Sequence, residues 1–364
     1  MYYFTILAVI KAIFPGMKRA ILVFIVAWSL LLRVVGQEGG KTTYGFLELT
    51  NSARVAALGG DIVSIRDDDL NLTFHNPALL TSAMDQHMNL NYVNYFSGIN
   101  YGYASYALHR EGIGNFAAGI HYADYGRFDR IDPFGVPDGS FRASEYAINL
   151  IYARPVLDSL FTVGVNVKPI FSVFEQYTSL GLTMDLGLSY FNASSLTQAG
   201  LVIRNFGTQI TTYDGRREPV PFEIQAGITQ GLAHAPFRFT LTFQHLEKWD
   251  LTYDTGTDDN LTFGGNQEEV NRFDAFGDKL MRHVLVGVEF LVGENFHFDL
   301  GYNYKRRQEM KMNNRPGMVG FSWGFGFRVS KFHVAYGRSS YHLAGGTNHF
   351  SVTTNLDQFY RQSR

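Results

Sequence analysis

Three consecutive aspartates, Asp67 to Asp69, are the residues of this sequence that most readily suggest chemistry. Carboxylates are common ligands of Ca²⁺ and Mg²⁺, so a metal site is one interpretation. Three adjacent acidic side chains cannot all reach one ion unless the chain turns between them. A hydrated loop, or ion pairs with arginines elsewhere in the fold, is therefore the interpretation that we favour.

Other residue spacings give no better support for catalysis. The histidines and remaining carboxylates lack the spacing of metal ligands, and no nucleophile elbow, paired acids or Ser/His/Asp arrangement stands out. Gly320, Gly324 and Gly326 could be mistaken for a phosphate-binding loop. They alternate with aromatic residues, which indicates a strand that bends or borders a narrow interior. We predict that the protein is not an enzyme and binds no cofactor or metal ion.

The segment from Leu180 to Tyr190 shows what kind of element carries the polar residues. Large apolar residues alternate with Gly, Thr, Asp and Ser, which is typical of a strand with one apolar and one polar face. Asp185 lies on the polar face. A charge that faces lipid at the middle of a bilayer costs up to about 2–4 kcal/mol. The apolar face is therefore predicted to meet lipid, and the polar face to line the interior of a barrel.

The same alternation recurs from Met88 onward in about fourteen segments, most of them long enough to cross a bilayer as tilted strands. An even number of strands is typical of single-chain bacterial barrels. We therefore predict an all-β fold, a transmembrane antiparallel β-barrel of about 14 strands. The predicted strands are 88–96, 99–108, 115–125, 144–154, 160–171, 178–191, 197–206, 222–232, 236–247, 283–292, 295–305, 318–329, 332–340 and 347–356.

The connections alternate in length as well. Short turns in the periplasm and long loops outside are typical of outer-membrane barrels, and this pattern predicts that both termini are periplasmic. Two connections break the trend, since 97–98 and 172–177 are brief but fall on the outer side. The long connections are predicted at 126–143, 207–221, 248–282 and 306–317.

Composition agrees with a barrel. Apolar residues make up 46% of the chain, but beyond the amino-terminal segment no long apolar run could form a spanning helix. Aromatic residues reach 15%, and many fall near predicted strand ends, where interfacial girdles require them. A net charge of -2 gives no argument for a nucleic-acid partner. The absence of cysteine excludes disulfides and a lipoprotein anchor.

The chain is predicted to divide into a leader, a plug and the barrel. Residues 1–36 form the leader, in which Met17, Lys18 and Arg19 precede the apolar run of a signal peptide. Met17 is the favoured true start, and an uncleaved anchor is the alternative. Residues 37–86 alternate poorly and are predicted to fold inside or beneath the barrel, with a short helix that Gly59 ends. The barrel is predicted to occupy residues 87–364.

Eight charged residues on the predicted strands face the interior. Four alternate in sign on successive strands and are placed in the outer half of the barrel, and four others are placed near the periplasmic end. Opposite charges on neighbouring strands would stabilise the pairing. A mixed set argues against a strongly ion-selective pore and favours a packed network over a conduction path. The first four are Lys168, Asp185, Arg204 and Glu223, and the second four are Arg238, Glu289, Asp299 and Arg328.

The long connection 248–282 is the candidate partner loop. It contains Trp249, Asp250, Phe273 and Phe276, whose aromatic rings and charge could form a docking surface. A loop of this length could equally fold over the mouth of its own barrel, and the sequence does not separate the two possibilities.

Several motifs resemble those of known outer-membrane barrels. In FadL-like barrels an Asn-Pro-Ala element belongs to a plug before the first strand, and Asn76, Pro77 and Ala78 stand in that place. Almost the whole mature chain is also similar to the PorQ family of type IX secretion system proteins of the Bacteroidota. The motifs that carry this resemblance include Ser52-Ala53-Arg54, Ala57-Leu58-Gly59-Gly60, Asp185-Leu186-Gly187-Leu188, Arg204-Asn205-Phe206-Gly207, Pro221-Phe222-Glu223-Ile224, His234-Ala235-Pro236-Phe237-Arg238 and His245-Leu246 with Trp249-Asp250-Leu251.

The resemblance implies a non-enzymatic barrel in the outer membrane of a Gram-negative, Bacteroidota-type bacterium. Such a barrel holds a PorZ-like surface protein in an attachment complex with PorU and PorV, which processes secreted cargo and attaches it to anionic lipopolysaccharide. Two other functions stay open. A FadL-like transporter of hydrophobic small molecules predicts an apolar pocket and a lateral kink, and a general porin predicts an unplugged channel.

Overall fold

Fourteen antiparallel strands form one closed barrel in the computed structural model, which confirms the predicted fold class. The structure describes residues 42–156, 160–252, 272–293, 295–310, 317–342 and 345–360, and the predicted leader 1–36 lies outside them. Each strand pairs with its neighbours in the sequence, and the last pairs with the first. The strands are β1 (His87–Asn94), β2 (Asn100–Arg110), β3 (Gly114–Ile131), β4 (Pro137–Val156), β5 (Phe161–Phe174), β6 (Tyr177–Asn192), β7 (Thr197–Thr211), β8 (Glu223–Gly231), β9 (Phe237–Phe243), β10 (Val284–Val292), β11 (Phe296–Asn303), β12 (Phe321–Val329), β13 (Phe332–His342) and β14 (Gly345–Asn355).

The two faces of each strand differ as the alternation requires. On β6, Leu182 and Leu186 are exposed on the outer face, whereas Thr183 and Asp185 are buried on the inner face. The barrel is thus apolar outside and polar inside, the reverse of a soluble protein.

One predicted long loop is mostly strand. The segment 126–143 continues β3 to Ile131 and resumes as β4 at Pro137, so a long hairpin replaces the predicted loop. Stacking of Phe128 on Phe141 supports the hairpin beyond the rest of the wall. The alternation of apolar and polar residues did not predict this extension, because a bulge that contains Gly126, at a φ of 82°, shifts the alternation along β3.

Short helices complete the described chain. Those of 3-10 type are Gly45–Glu48, Leu70–Phe74, Pro77–Leu79, Ser82–Met84 and Phe96–Gly98, and the α-helices are α1 (Ala53–Ala57), α2 (Arg272–Arg282), α3 (Tyr304–Met310) and α4 (Asp357–Tyr360). Among the described residues no helix combines the length and apolar character needed to cross a membrane.

Residues 42–86, called the plug below, run through the barrel from one end to the other. We call the end where β1 begins and β14 finishes the terminal end, and the opposite end the loop end. The backbone N–H of Thr43 donates to Pro219 at the loop end, whereas Gln86 leads into β1 at the terminal end. The first described residues therefore lie at the loop end and the last at the terminal end, and the termini that were predicted to be periplasmic lie outside the described residues.

Candidate functional site

The plug is a compact chain of short helices with local caps. The Ser52 side chain accepts from the backbone N–H of Val55 and begins α1, and Gly59 at a φ of 113° follows its end. This is the short helix predicted before Gly59. Asp69 likewise caps Leu70–Phe74, because its carboxylate accepts from the N–H of Asn71.

Glycines of the barrel wall hold the plug at backbone distance. A Cβ added at Gly200 would lie 1.8 Å from the carbonyl oxygen of Val63, and one at Gly337 would lie 2.1 Å from that of Ala53. Only a residue without a side chain permits such an approach. The wall glycines that lie against plug backbone are Gly164 on β5, Gly187 on β6, Gly200 on β7, Gly287 on β10, Gly301 on β11 and Gly337 on β13.

The Asn-Pro-Ala element occupies two of these glycine positions. The Asn76 side chain caps its own turn by accepting from the N–H of Ala78 at 3.0 Å and donates to the carbonyl of Val63 at 2.8 Å. A Cβ at Gly187 would lie 2.1 Å from Oδ1 of Asn76, and one at Gly164 would lie 2.4 Å from Ala78. The motif thus fastens the plug to β5 and β6.

On the opposite side of the plug, side chains of β1 to β3 bridge to it. The Tyr101 hydroxyl donates to the carbonyl of Thr50 at 3.0 Å. The amides of Asn89 and Asn91 both donate to Oδ1 of Asn71 at 2.7 Å. These contacts use long or polar side chains, whereas the other half of the wall adds glycines at backbone distance to its own bridging side chains.

The charges nearest the terminal end form one buried cluster. The guanidinium of Arg54, in α1, lies 2.9 Å from Glu289, 2.6 Å from Asp67 and 3.1 Å from Asp69. Arg238 binds Glu289 through two nitrogens at 2.5 and 3.0 Å and also contacts Asp67 at 3.3 Å. Asp67 and Asp69, two of the three consecutive aspartates, therefore serve as ion-pair partners of arginines in this cluster.

A second cluster surrounds Arg204 further toward the loop end. Its Nη1 lies 3.1 Å from Asp61 of the plug and 3.9 Å from Glu223, its register partner on β8. Its Nη2 donates to the carbonyl of Leu47 at 3.2 Å. Asp61 also contacts Nδ1 of His75 at 3.1 Å. A strand arginine thus contacts two parts of the plug, and Asp61 connects it to a third at His75.

The other predicted interior charges lie in three separate places. Lys168 and Asp185 form a buried pair at 2.7 Å. Asp299 is opposite Glu289 in register, but its contact is with Nδ1 of His297 at 2.9 Å. Arg328 lies at the terminal mouth, where its half-exposed side chain is 3.7 Å from Asp68.

A polar cavity of about 250 Å³ opens beside this mouth. Arg54, Asp67 and Arg238 form its inner wall, and Arg328 and Lys331 lie toward its rim. Within the described ranges, no group of three or more His, Asp or Glu side chains has the arrangement of a metal site. The cavity is thus an extension of the ion-pair cluster.

Sequence reasoning missed Arg54 and Asp61, and it offered ion pairs with arginines as one interpretation of Asp67 to Asp69 without identifying the partners. Arg54, Asp61, Asp67 and Asp69 lie in the segment without strand periodicity, so the alternation gave no direction for their side chains. The run Asp67 to Asp69 was the available signal, because unpaired acids so close together need cations nearby.

The candidate partner loop brings its predicted residues together around α2. The ring of Trp249 packs on Phe276 with centroids 5.5 Å apart, and Asp250 pairs with Lys279 at 2.6 Å. Trp249 and Phe276 nevertheless remain 53% and 55% exposed. The backbone of Phe273 lies in α2, and its side chain is outside the described set. The described parts of this loop therefore pack on each other and present exposed aromatic side chains.

A second apolar surface lies at the tip of the β3–β4 hairpin. Ile131, Phe134 and Val136 are exposed there, and Phe134 is 90% exposed. Asp132 shapes the turn, because its carboxylate accepts from the N–H groups of Phe134 and Val136. The loop end thus carries two exposed apolar patches on ordered supports.

No protein-family model matches the chain, and no curated protein sequence matches it. Solved structures do match. The Pseudomonas putida toluene transporter TodX aligns with 85% of this chain and 99% of that chain, at 12% identity and a TM-score of 0.50. The fold is that of the FadL-like barrels.

Two further structures align over similar lengths. The Ralstonia pickettii toluene transporter TbuX aligns with 84% of this chain and 97% of that chain, at 12% identity and a TM-score of 0.47. A Pseudomonas aeruginosa FadL homologue aligns with 84% of this chain and 98% of that chain, at 12% identity and a TM-score of 0.46.

Proposed function

We propose that this FadL-like barrel is a non-conducting outer-membrane anchor that holds a surface protein at its loop end. The observation that carries the proposal is the seating of the plug backbone on glycines of six strands. A segment fastened on so many sides cannot swing aside without breaking these contacts and the Arg54 and Arg204 clusters together. The function is therefore assigned to the outer surfaces rather than to passage through the interior.

The proposed orientation follows from the connections. Those at the loop end include 244–283 and 304–320, whereas β12 and β13 are joined at the terminal end by Ser330 and Lys331 alone. Outer-membrane barrels direct long connections outward. In this orientation the patch of Trp249 and Phe276 and the tip of the β3–β4 hairpin face the cell exterior. Contiguous exposed apolar patches of this kind are typical of protein interaction sites.

The partner that we propose is a PorZ-like surface protein, in a type IX secretion attachment complex with PorU and PorV. The motif resemblance supports this identity, and a filled interior supports a role as an anchor. A standard interface buries about 1,200–2,000 Å² in total, so both loop-end patches together are candidates for it. In such a complex the barrel holds its partner while cargo is processed and attached to lipopolysaccharide, and it performs no catalysis itself.

The second candidate is a transporter of hydrophobic small molecules. The likeness in fold to TodX, a toluene transporter, favours it. This function requires an apolar passage and an opening in the wall. Against it, every neighbouring pair of strands is joined by a ladder, and plug residues 51–60 are all buried inside the barrel. Uptake of a labelled aromatic hydrocarbon by vesicles that contain the protein would support the transporter.

Cross-linking on intact cells tests the anchor. A carboxy-terminal tag is used to recover the barrel after the membrane is dissolved, and we expect a stoichiometric surface protein with it. Trp249→Ser with Phe276→Ser should reduce that yield at least tenfold, while the control Arg216→Ser with Arg217→Ser, at exposed polar positions of the β7–β8 connection, should not. A barrel recovered alone, or with bound fatty lipid, would contradict the anchor.

A further inference from the structure

A groove on the outer face of the barrel lies far from the surfaces used above. It has a volume of about 340 Å³ and crosses β2, β3 and β4 in the terminal half of the wall. Ala118 is its low point, because its register partners on either side are the larger Tyr106 and Leu150. Phe116 and Tyr152 lie one row nearer the terminal end. All of these positions except the alanine carry large side chains that point outward, so the groove faces the bilayer.

Two arginines lie at the terminal edge of this groove. Arg110 is the register partner of Gly114, and Arg154 follows Ala153, the partner of Asn115. The two arginines therefore flank Gly114 on either side at a separation of two strand spacings, roughly 10 Å. Both are exposed. Because Gly114 has no side chain, β3 itself places no side chain between the two arginines.

Tyr152 separates the charged edge from the apolar groove. A Cβ at Gly114 would lie 2.9 Å from the Tyr152 ring, so the ring lies across the glycine. The Tyr152 hydroxyl donates to the carbonyl of Ile113 at 2.9 Å. This places a fixed aromatic ring at the level of the arginines, as expected at the boundary between hydrocarbon and head groups.

The pair of arginines is exceptional on this surface. On the described strands, no other outward-facing position in the terminal half carries Asp, Glu, Lys or Arg. Within the described ranges neither Arg110 nor Arg154 has an ion pair, and Glu111, in the turn beside Arg110, is also exposed. Two cations held at one boundary below an apolar groove thus have no protein partner there to account for them.

We propose that this groove binds an anionic phospholipid of the leaflet at the terminal end. Its phosphate would lie between Arg110 and Arg154, and one acyl chain would lie over Ala118. Guanidinium groups match phosphate oxygens with two parallel hydrogen bonds, and basic sites beside membrane segments recognise anionic head groups. The inference requires that the barrel be in a membrane, and it is independent of partner docking.

Native mass spectrometry of the full chain tests the charged edge. The protein is released from detergent micelles that contain phosphatidylglycerol or phosphatidylethanolamine, and bound lipid is counted. Arg110→Gln with Arg154→Gln should lower the preference for phosphatidylglycerol about thirtyfold, roughly 2 kcal/mol for two arginines at 1.4 kcal/mol per factor of ten. The control Arg142→Gln with Arg338→Gln changes two arginines at the loop end and should leave it unaltered.

A second variant tests the groove separately from the charges. Ala118→Phe should reduce retention of both lipids, while Ala226→Phe, at a small outward-facing position of β8, should not. Every variant is first checked for the heat-dependent gel shift of a folded barrel. Equal phosphatidylglycerol retention by wild type and the Arg110/Arg154 variant would overturn the proposal. Equally tight binding of glycerol phosphate, which has no acyl chain, would overturn it as well.

Discussion

The two sides of the plug are held differently, because one of them combines bridging side chains with wall glycines that touch plug backbone. On the side of β5 to β13, wall glycines bring backbone against backbone, as where Gly200 meets Val63. On the side of β1 to β4, side chains such as that of Tyr101 cross the gap. Even an inward-facing glycine there, Gly119, would meet the Tyr103 ring and not the plug.

This difference determines which positions in the interior tolerate substitution. Side chains can choose another rotamer, so a bridged gap adjusts to a substitution at modest cost. Two backbones in contact can separate only if a strand or the plug moves, and the strand is fixed by its ladders to both neighbours. We therefore expect substitutions at the backbone contacts to be all-or-none and substitutions at the side-chain bridges to be graded.

The largest effect is expected for Gly200→Ala. The added Cβ would lie 1.8 Å from the carbonyl oxygen of Val63, a distance that no rotamer can relieve. We expect no barrel with the heat-dependent gel shift of the wild type. Gly277→Ala is the matched control, because nothing in the described part of the chain beyond its own helix backbone lies within 4 Å of its added Cβ. A Gly200→Ala protein with the wild-type urea midpoint would show that the plug is seated differently.

The next effect is expected for Arg54→Met, on the side of β5 to β13. The variant leaves Asp67, Asp69 and Glu289 without their shared guanidinium, and breaking a buried ion pair in this way costs about 3–5 kcal/mol. The loss is measured as a lower free energy of unfolding in urea. Arg328→Met removes an exposed contact of 3.7 Å and should cost under about 1 kcal/mol. Equal losses would contradict the cluster.

The same cluster predicts a dependence on pH. Burial raises the pKa of the Asp67 carboxyl, but the guanidinium groups of Arg54 and Arg238 outweigh burial and hold this pKa below its ordinary value. A carboxyl of lowered pKa stabilises the fold above its unfolded pKa, about 3.9, and this stability is lost as the pH falls toward the folded pKa. The urea midpoint of unfolding should therefore decrease as the pH falls below about 4. Asp67→Asn should flatten that decline, and an unchanged slope would exclude Asp67 as its source.

The sequence predicted the strands of the barrel wall better than the plug inside it. All fourteen strands were placed, because lipid outside and polar groups inside repeat every second residue. The pair of Lys168 and Asp185 joins neighbouring strands, so alternation and strand order were enough to bring them together. Strand ends were less certain, as the β3–β4 hairpin shows.

The plug could not be predicted in the same way. Arg54 meets Glu289 across 235 positions of sequence, and no period relates a helix inside a barrel to the strand it touches. The sequence does not distinguish the glycines that touch the plug from other glycines. Gly200 lies against plug backbone, whereas Gly277 lies in α2 in unrelated surroundings. Their roles depend on the path of the plug, which only the three-dimensional packing defines.

On the side of β1 to β4, Tyr101→Phe should have a moderate effect. The variant keeps the ring and removes the hydroxyl that donates to the carbonyl of Thr50 at 3.0 Å. A buried carbonyl that loses its donor costs about 1–3 kcal/mol. A urea titration should show this loss with the folded gel shift intact. If the variant failed to fold, the side-chain bridges would tolerate substitution no better than the glycine contacts do.

The smallest effect is expected for Gly227→Ala, which lies among the glycines but meets side chains. Its added Cβ would lie 3.0 Å from Oγ of Ser64 and 3.0 Å from Cγ2 of Val63. Both atoms belong to side chains, so a shift of a few tenths of an ångström can relieve the contact, at a cost of roughly 1 kcal/mol or less. Urea titration beside Gly200→Ala measures the difference. If both variants failed to fold, glycine itself would be required at these positions, and the distinction between backbone and side-chain contact would not explain the interior.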